Sequence, residues 1–220
     1  MKLLKSFYFH VYTPLASLFF PSIYWKIKTK KPCLYLTFDD GPNPVSTPFI
    51  LAILEKYATK ASFFVIGENA VQNKNELLAI KKQGHLIGNH TFTHVHGWRV
   101  STQKYCAEVE QTDAVLKEIL HENTFLFRPP FGKMTYKQFV QLKKTHSLVL
   151  WSMLTQDYEA SFSIERSLKE MSKGIQPGAI FVFHDSEQAW PKLQIMLPAL
   201  IEEAQVKGYD FAVLPVASRL

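Results

Sequence analysis

From residue 32 onward, short apolar runs alternate with longer amphipathic stretches. The runs at 34–38, 61–66, 86–88, 125–127, 148–151, 179–183 and 211–214 are too short for helices and rich in Leu, Val, Ile and Phe. Each predicts a strand. Residues 48–57, 75–83, 102–120, 136–145, 164–173 and 193–207 carry apolar positions at helical spacing and predict helices. Thr47-Pro48 is a helix-start signal, a capping hydroxyl followed by proline in the first turn. Gly84, Gly174 and Gly208 stand where a left-handed residue ends a helix. Strands separated by helices imply parallel pairing with right-handed crossovers, which a barrel or a doubly wound sheet would satisfy. No linker divides this stretch, so one domain is expected over 32–220.

Five polar clusters punctuate the pattern: Asp39-Asp40-Gly41, His90-Thr91-Phe92-Thr93-His94, Arg128-Pro129-Pro130-Phe131-Gly132, Asp157-Tyr158 and His184-Asp185. Each follows a predicted strand. In a β/α barrel the C-terminal strand ends share one face, where active sites lie. The recurrence after so many different strands favours a distorted (β/α) barrel of about seven parallel strands. His90 and His94, four residues apart, can reach one ion, and a carboxylate from Asp39 or Asp40 would complete a three-ligand set. Adjacent residues at a strand end point in different directions, so one can bind metal while the other faces substrate.

Taken together, Thr37-Phe38-Asp39-Asp40-Gly41, the His90/His94 pair, Arg128-Pro129-Pro130-Phe131-Gly132 and Phe181-Val182-Phe183-His184 resemble the polysaccharide deacetylase family. This is the NodB-homology domain of carbohydrate esterase family 4. The resemblance implies hydrolysis of acetyl groups on N-acetylated or O-acetylated sugars of a polysaccharide. It implies that Asp40, His90 and His94 hold one divalent metal, zinc in many members, with cobalt or nickel also used. It assigns Asp39 as general base, His184 as general acid, Asp157 as the acid that orients that histidine, and Arg128 as the partner of the base. Phe131 takes the aromatic position whose backbone N–H helps bind the oxyanion. Tyr158 and Trp98 are expected at the sugar. One motif departs: where the family often reads Asp-x-x-Asp-Trp, this chain has Leu154-Thr155-Gln156-Asp157-Tyr158. The lining of the substrate groove is therefore this chain's own, and a weak or inactive sugar-binding pseudoenzyme is the alternative. Two histidines and a carboxylate also make the facial triad of non-haem iron oxygenases, but the helical segments argue against the all-β folds that often carry it.

Charge adds a boundary. The net charge is +6, yet Lys2, Lys5, Lys26, Lys28, Lys30 and Lys31 all precede the first acidic residue, Asp39. The rest of the chain is neutral overall, so no groove for nucleic acid is implied. Residues 6–25 carry no lysine, arginine or acid and are rich in aromatics, with Pro14 and Pro21 opposing a regular helix. Residues 1–31 therefore read as an arm. It either packs on the barrel or lies on an anionic membrane surface, with a transmembrane anchor as the third reading. On the membrane reading, a chain lacking residues 1–30 should remain folded and active. A cell-envelope or membrane-associated location is favoured over the cytoplasm, with no protein partner expected. The two cysteines, Cys33 and Cys106, are expected as free thiols. His85 is expected in a buried hydrogen bond, Asp185 as a turn or capping residue, and Trp190 in packing.

Overall fold

The computed structural model describes residue 18 and residues 20–216. The strands are β1 (Cys33–Asp39), β2 (Ser62–Val65), β3 (Leu86–Asn89), β4 (Leu126–Phe127), β5 (Ser147–Leu148), β6 (Met153–Leu154), β7 (Ile180–His184) and β8 (Asp210–Phe211). The helices are α1 (Ser46–Lys56), α2 (Gly67–Gln72), α3 (Lys74–Lys82), α4 (Thr102–Leu120), α5 (Tyr136–Leu142), α6 (Ile164–Gly174) and α7 (Trp190–Val206). Seven parallel strands form one path in the order β5-β4-β3-β2-β1-β7-β6, and β8 pairs with the start of β1. The path curls into an open half-barrel, the expected α/β architecture.

Strand β1 shows how the sequence builds both faces. Leu34, Leu36 and Phe38 pack with Ile50 and Leu54 of α1 and Leu193 and Leu197 of α7. The alternate residues Tyr35, Thr37 and Asp39 point the other way, into the barrel, as a two-residue period requires. Tyr35 there joins Phe64, Leu126, Val149, Ile180 and Leu214 in an inner core.

Of the run at 148–151, read as one strand, only Leu148 belongs to one, the end of β5; the rest leads across to β6. β5 pairs with β4 and β6 with β7, so they are opposite ends of the path. Residues 149–152 carry the chain across the gap, and Ser152 N–H donates to Ile180 O at 3.1 Å on the far side. The arm lies alongside this crossing. Tyr24 N–H donates to Leu148 O and the Tyr24 carbonyl accepts from Leu150 N–H, both at 2.8 Å, while Ile27 N–H donates to Gly178 O at 2.9 Å. Ile23 is buried beside Phe127 and Leu150. Most of the uncharged stretch 6–25, and Lys2 and Lys5, fall outside the described residues. Among the described residues no helix is long and apolar enough to cross a membrane.

Helix α2 was not predicted; six residues beginning with glycine carry too little periodicity. Gly84 and Gly208 take the expected left-handed conformation, with φ of 77° and 78°. Gly174 does not: it is the last residue of α6, and a Cβ there would lie 2.7 Å from Met153 Cε, so close packing rather than a left-handed turn accounts for it. Both cysteines are free.

Candidate active site

Asp39 is the last inward residue of β1 and is almost completely buried. A carboxylate there needs a partner, since an unpaired buried charge is costly. Arg128 supplies it. This side chain is the largest of the fully buried ones, with Nη1 2.6 Å from Asp39 Oδ1 and 2.8 Å from Thr37 Oγ1, Nη2 3.0 Å from Leu150 O, and the guanidinium 4.2 Å above the Phe64 ring. Burial pulls the Arg128 pKa below its ordinary value, and the Asp39 charge and hydrogen bond oppose that. One Asp39 oxygen is thereby anchored.

Asp40 turns out of the strand with φ of 78°. Its Oδ1 lies 3.6 Å from His90 Nε2 and 3.3 Å from His94 Nε2. The ligand atoms of the three residues all fall within 4.8 Å of one another. His90 Nδ1 is 2.7 Å from Arg128 O, so Nδ1 carries the proton and Nε2 presents a lone pair to Asp40. Burial, and then His94, push the His90 pKa down to about 3, so this imidazole is neutral. Asp40 Oδ1 is buried with no hydrogen-bond partner. An orphaned carboxylate oxygen facing two imidazole nitrogens is a donor set that a cation would satisfy. One oxygen and two nitrogens could hold a divalent ion with positions left open for water.

His184 ends β7 and is the register partner of Asp39 across the β1–β7 ladder. Asp157 holds it twice, with Oδ1 2.8 Å from Nδ1 and Oδ2 accepting the backbone N–H at 2.7 Å. Burial alone would lower the imidazole pKa. The Asp157 charge and hydrogen bond, with Asp40 and Asp39, overturn that and raise it to about 9. Tyr158 packs its ring edge-on against His184, with centroids 4.6 Å apart. Asp185 points away, accepting from Ser46 Oγ and Thr47 Oγ1 at the start of α1. Burial raises it to about 7, against the pull of those two hydroxyls.

Among the described residues, seven non-glycine residues have positive φ, and five sit in these loops: Asp40, Thr91, His94, Phe131 and Gln156. Left-handed backbone costs roughly 1 kcal/mol or more at such positions, and it clusters where geometry serves chemistry. Gly41 is required for a different reason: a Cβ there would stand 2.2 Å from Asp185 Oδ2.

The sequence model described as polysaccharide deacetylase matches residues 26–150, more than half of the chain. The chain belongs to the polysaccharide deacetylase family. A peptidoglycan-N-acetylglucosamine deacetylase of Bacillus cereus is 29% identical over 189 residues, 85% of this chain and 88% of the relative. A chitooligosaccharide deacetylase of Azorhizobium caulinodans is 28% identical over 208 residues, covering 86% of this chain and 96% of its own. The crystal structure of a peptidoglycan N-acetylglucosamine deacetylase superposes with a TM-score of 0.85 at 28% identity, covering 90% of this chain and 94% of that one. As a member of the family, the protein is a hydrolase.

In this deacetylase fold a pocket of about 450 Å³ is lined by Asp39, Asp40, His90, His94, Phe131, Tyr158 and His184, together with Lys133, Trp151, Leu154 and Gln188. Arg128 and Asp157 stand behind it, each touching a lining residue. Trp98 is not in the lining; it lies outside, under the Lys133 ammonium, with its Nε1–H donating to Met134 O at 3.0 Å. Lys133, Trp151 and Gln188 were missed. Trp151 had a signal, since it ends a predicted run; Lys133 and Gln188 lie in loops whose path only the fold reveals. Trp190 packs on Phe49, and His85 Nδ1 accepts from Ala61 N–H at 3.2 Å.

Proposed function

We propose that the protein hydrolyses acetamido groups on a sugar polymer, with Asp39 as general base, His184 as general acid and a divalent ion, zinc foremost, held by Asp40, His90 and His94. The observation that carries this reading is that Asp39 and His184, partners on adjacent strands, flank the Asp40/His90/His94 cluster in one pocket. The relatives' names, for peptidoglycan N-acetylglucosamine and for chitooligosaccharides, support an N-acetylated amino sugar as substrate.

When bound, a dication at this cluster would polarise the acetyl carbonyl and acidify water beside it. The chain's own residues do the rest. Asp39, with one oxygen fixed by Arg128, takes a proton from the attacking water at its free oxygen. Phe131, beside His94, offers its backbone N–H to the developing oxyanion. His184 holds its Nδ1 proton against Asp157 and gives its Nε2 proton to the departing nitrogen. Tyr158 and Leu154 shape the wall against which the sugar lies.

Acetate release from N-acetylglucosamine oligomers, measured before and after chelation and with zinc, cobalt or nickel restored, tests this. Chelation should abolish release and metal should restore it. No release from the metal-loaded chain would favour the pseudoenzyme; turnover untouched by chelators would remove the metal from the reading.

A surface role for the arm belongs to the same proposal. Lys26, Lys28, Lys30 and Lys31 are exposed, and with Lys2 and Lys5 they supply the charge for an anionic membrane or envelope surface. Binding to phosphatidylglycerol vesicles that weakens with salt is expected; indifference to salt or to lipid charge would refute it.

A further inference from the structure

Among the described residues, Lys133 is the one lysine or arginine lining the pocket. Neither pocket acid pairs with it: Asp39 is held by Arg128, and Asp40 faces the two imidazoles. Lys133 makes no ion pair with a carboxylate among the described residues. Its backbone is pinned by its N–H to Pro130 O at 3.0 Å, and its ammonium lies 5.2 Å from the centre of the Trp98 ring. That ring is fixed in turn by its bond to Met134 O. An ammonium held on an aromatic face keeps its hydrogens free for an acceptor. Most surface lysines wave in solvent; this one is half-buried, held at both ends and at the rim of a catalytic pocket. Phe131 and Trp98 flank it at 55% and 63% exposure. Flat apolar faces beside a fixed cation suit a sugar ring that carries a negative substituent.

We infer that Lys133 binds a carboxylate carried by the polymer beside the acetylated sugar, so that the pocket takes an acidic glycan in preference to a neutral one. The inference rests on the deacetylase reading for the position of the acetyl group. It assigns Trp98 a positioning role, as the platform that holds Lys133 in place.

Three oligomers of equal length test it on the full chain loaded with zinc. One alternates N-acetylglucosamine with N-acetylmuramic acid bearing free lactyl carboxylates. The second is the same oligomer with those carboxylates amidated, and the third contains N-acetylglucosamine alone. Acetate release gives KM and kcat, and titration calorimetry on the zinc-loaded Asp39→Asn chain, with and without the Lys133 substitutions, gives Kd without turnover. The acidic oligomer should bind roughly 5- to 10-fold better than its amide, the range of a partly desolvated charge-assisted contact, and the advantage should shrink with salt. Lys133→Gln should erase the preference through KM, with kcat falling far less, and Lys133→Glu should invert it. Equal binding of acid and amide by the native chain would overturn the inference. So would a Lys133→Gln loss of equal size on all three oligomers. No acetate release from any of them would count against the deacetylase reading, while calorimetry would still decide the role of Lys133.

Discussion

Replacing Asp157 with asparagine separates charge from shape in the His184 pair. Asparagine keeps an oxygen that can accept from Nδ1–H, but the negative charge is gone. In the native chain burial lowers the His184 pKa, and the Asp157 charge and hydrogen bond, helped by Asp40 and Asp39, raise it to about 9. With the main opposing charge removed, burial gains ground and the pKa falls toward its ordinary value of 6.5. At about pH 7.5 a full return would drop the protonated fraction from about 97% to about 9%, so a step that needs the acid slows by up to roughly tenfold. The sign follows from the role. An acid must be protonated to act, so its limb is the alkaline one, activity is lost as pH rises through the pKa, and the limb in Asp157→Asn moves down by up to roughly two pH units. A bound dication offsets the Asp40 contribution in both proteins, so their difference remains the readout. The assay is kcat/KM from about pH 5.5 to 10 on an N-acetylated oligomer and on an activated acetate ester. An amine leaves badly unless protonated, whereas an activated alcohol leaves unaided. His184→Ala should therefore cost far more than Asp157→Asn on the amide, and little on the ester. An alkaline limb that stays in place in Asp157→Asn, or equal His184→Ala losses on both substrates, would refute the acid assignment.

Asp39→Asn should leave metal affinity nearly intact and cut turnover by roughly 100-fold or more, whereas Asp40→Asn should lose the metal; calorimetric zinc titration of both variants, with the reverse pattern, would swap the roles. Arg128→Ala leaves Asp39 buried without its partner and should destabilise the fold by about 3–5 kcal/mol in urea denaturation; a cost under about 1 kcal/mol would mean that Asp39 is solvated. Removing 1–30 takes away buried Ile23, worth about 1.5–3 kcal/mol, and the backbone bonds of Tyr24 and Ile27, so that protein should melt lower than the full chain; equal melting of the two would make residues 20–30 dispensable to the barrel.

The candidate site was legible in the sequence because its residues close strands. Asp39, His90, Arg128 and His184 each end or directly follow an apolar run, and hydrophobic periodicity locates those ends. The crossing at 149–152 was hidden, because a chain leaving one edge of the sheet for the other stays apolar throughout and reads as one strand. Tyr158 was found through its neighbour Asp157, while Lys133 carries no local signal: it matters because the 3₁₀ turn Pro130–Gly132 swings it over Trp98. Loop contacts of this kind depend on backbone conformations that periodicity does not encode.

The half-barrel explains why so much of the machinery is held by so few groups. An open sheet has no complete ring of strands to fix its interior, and here the gap is spanned by residues 149–152, with Tyr24 bonded to both sides of Val149. Leu150, in the middle of that crossing, donates its N–H to Tyr24 O, and its carbonyl accepts from Arg128 Nη2. Arg128 in turn fixes Asp39, and its own carbonyl fixes the His90 tautomer. A single buried arginine thus ties the seam of the barrel, the Asp39 carboxylate and one imidazole of the candidate metal site into one network. Networks in a low-dielectric interior are worth more than their separate pairs and fail together when a member is lost. Double-mutant cycles between Tyr24 variants and Arg128→Lys should therefore show coupling in zinc affinity as well as in stability; strictly additive effects would mean that the seam and the site are independent.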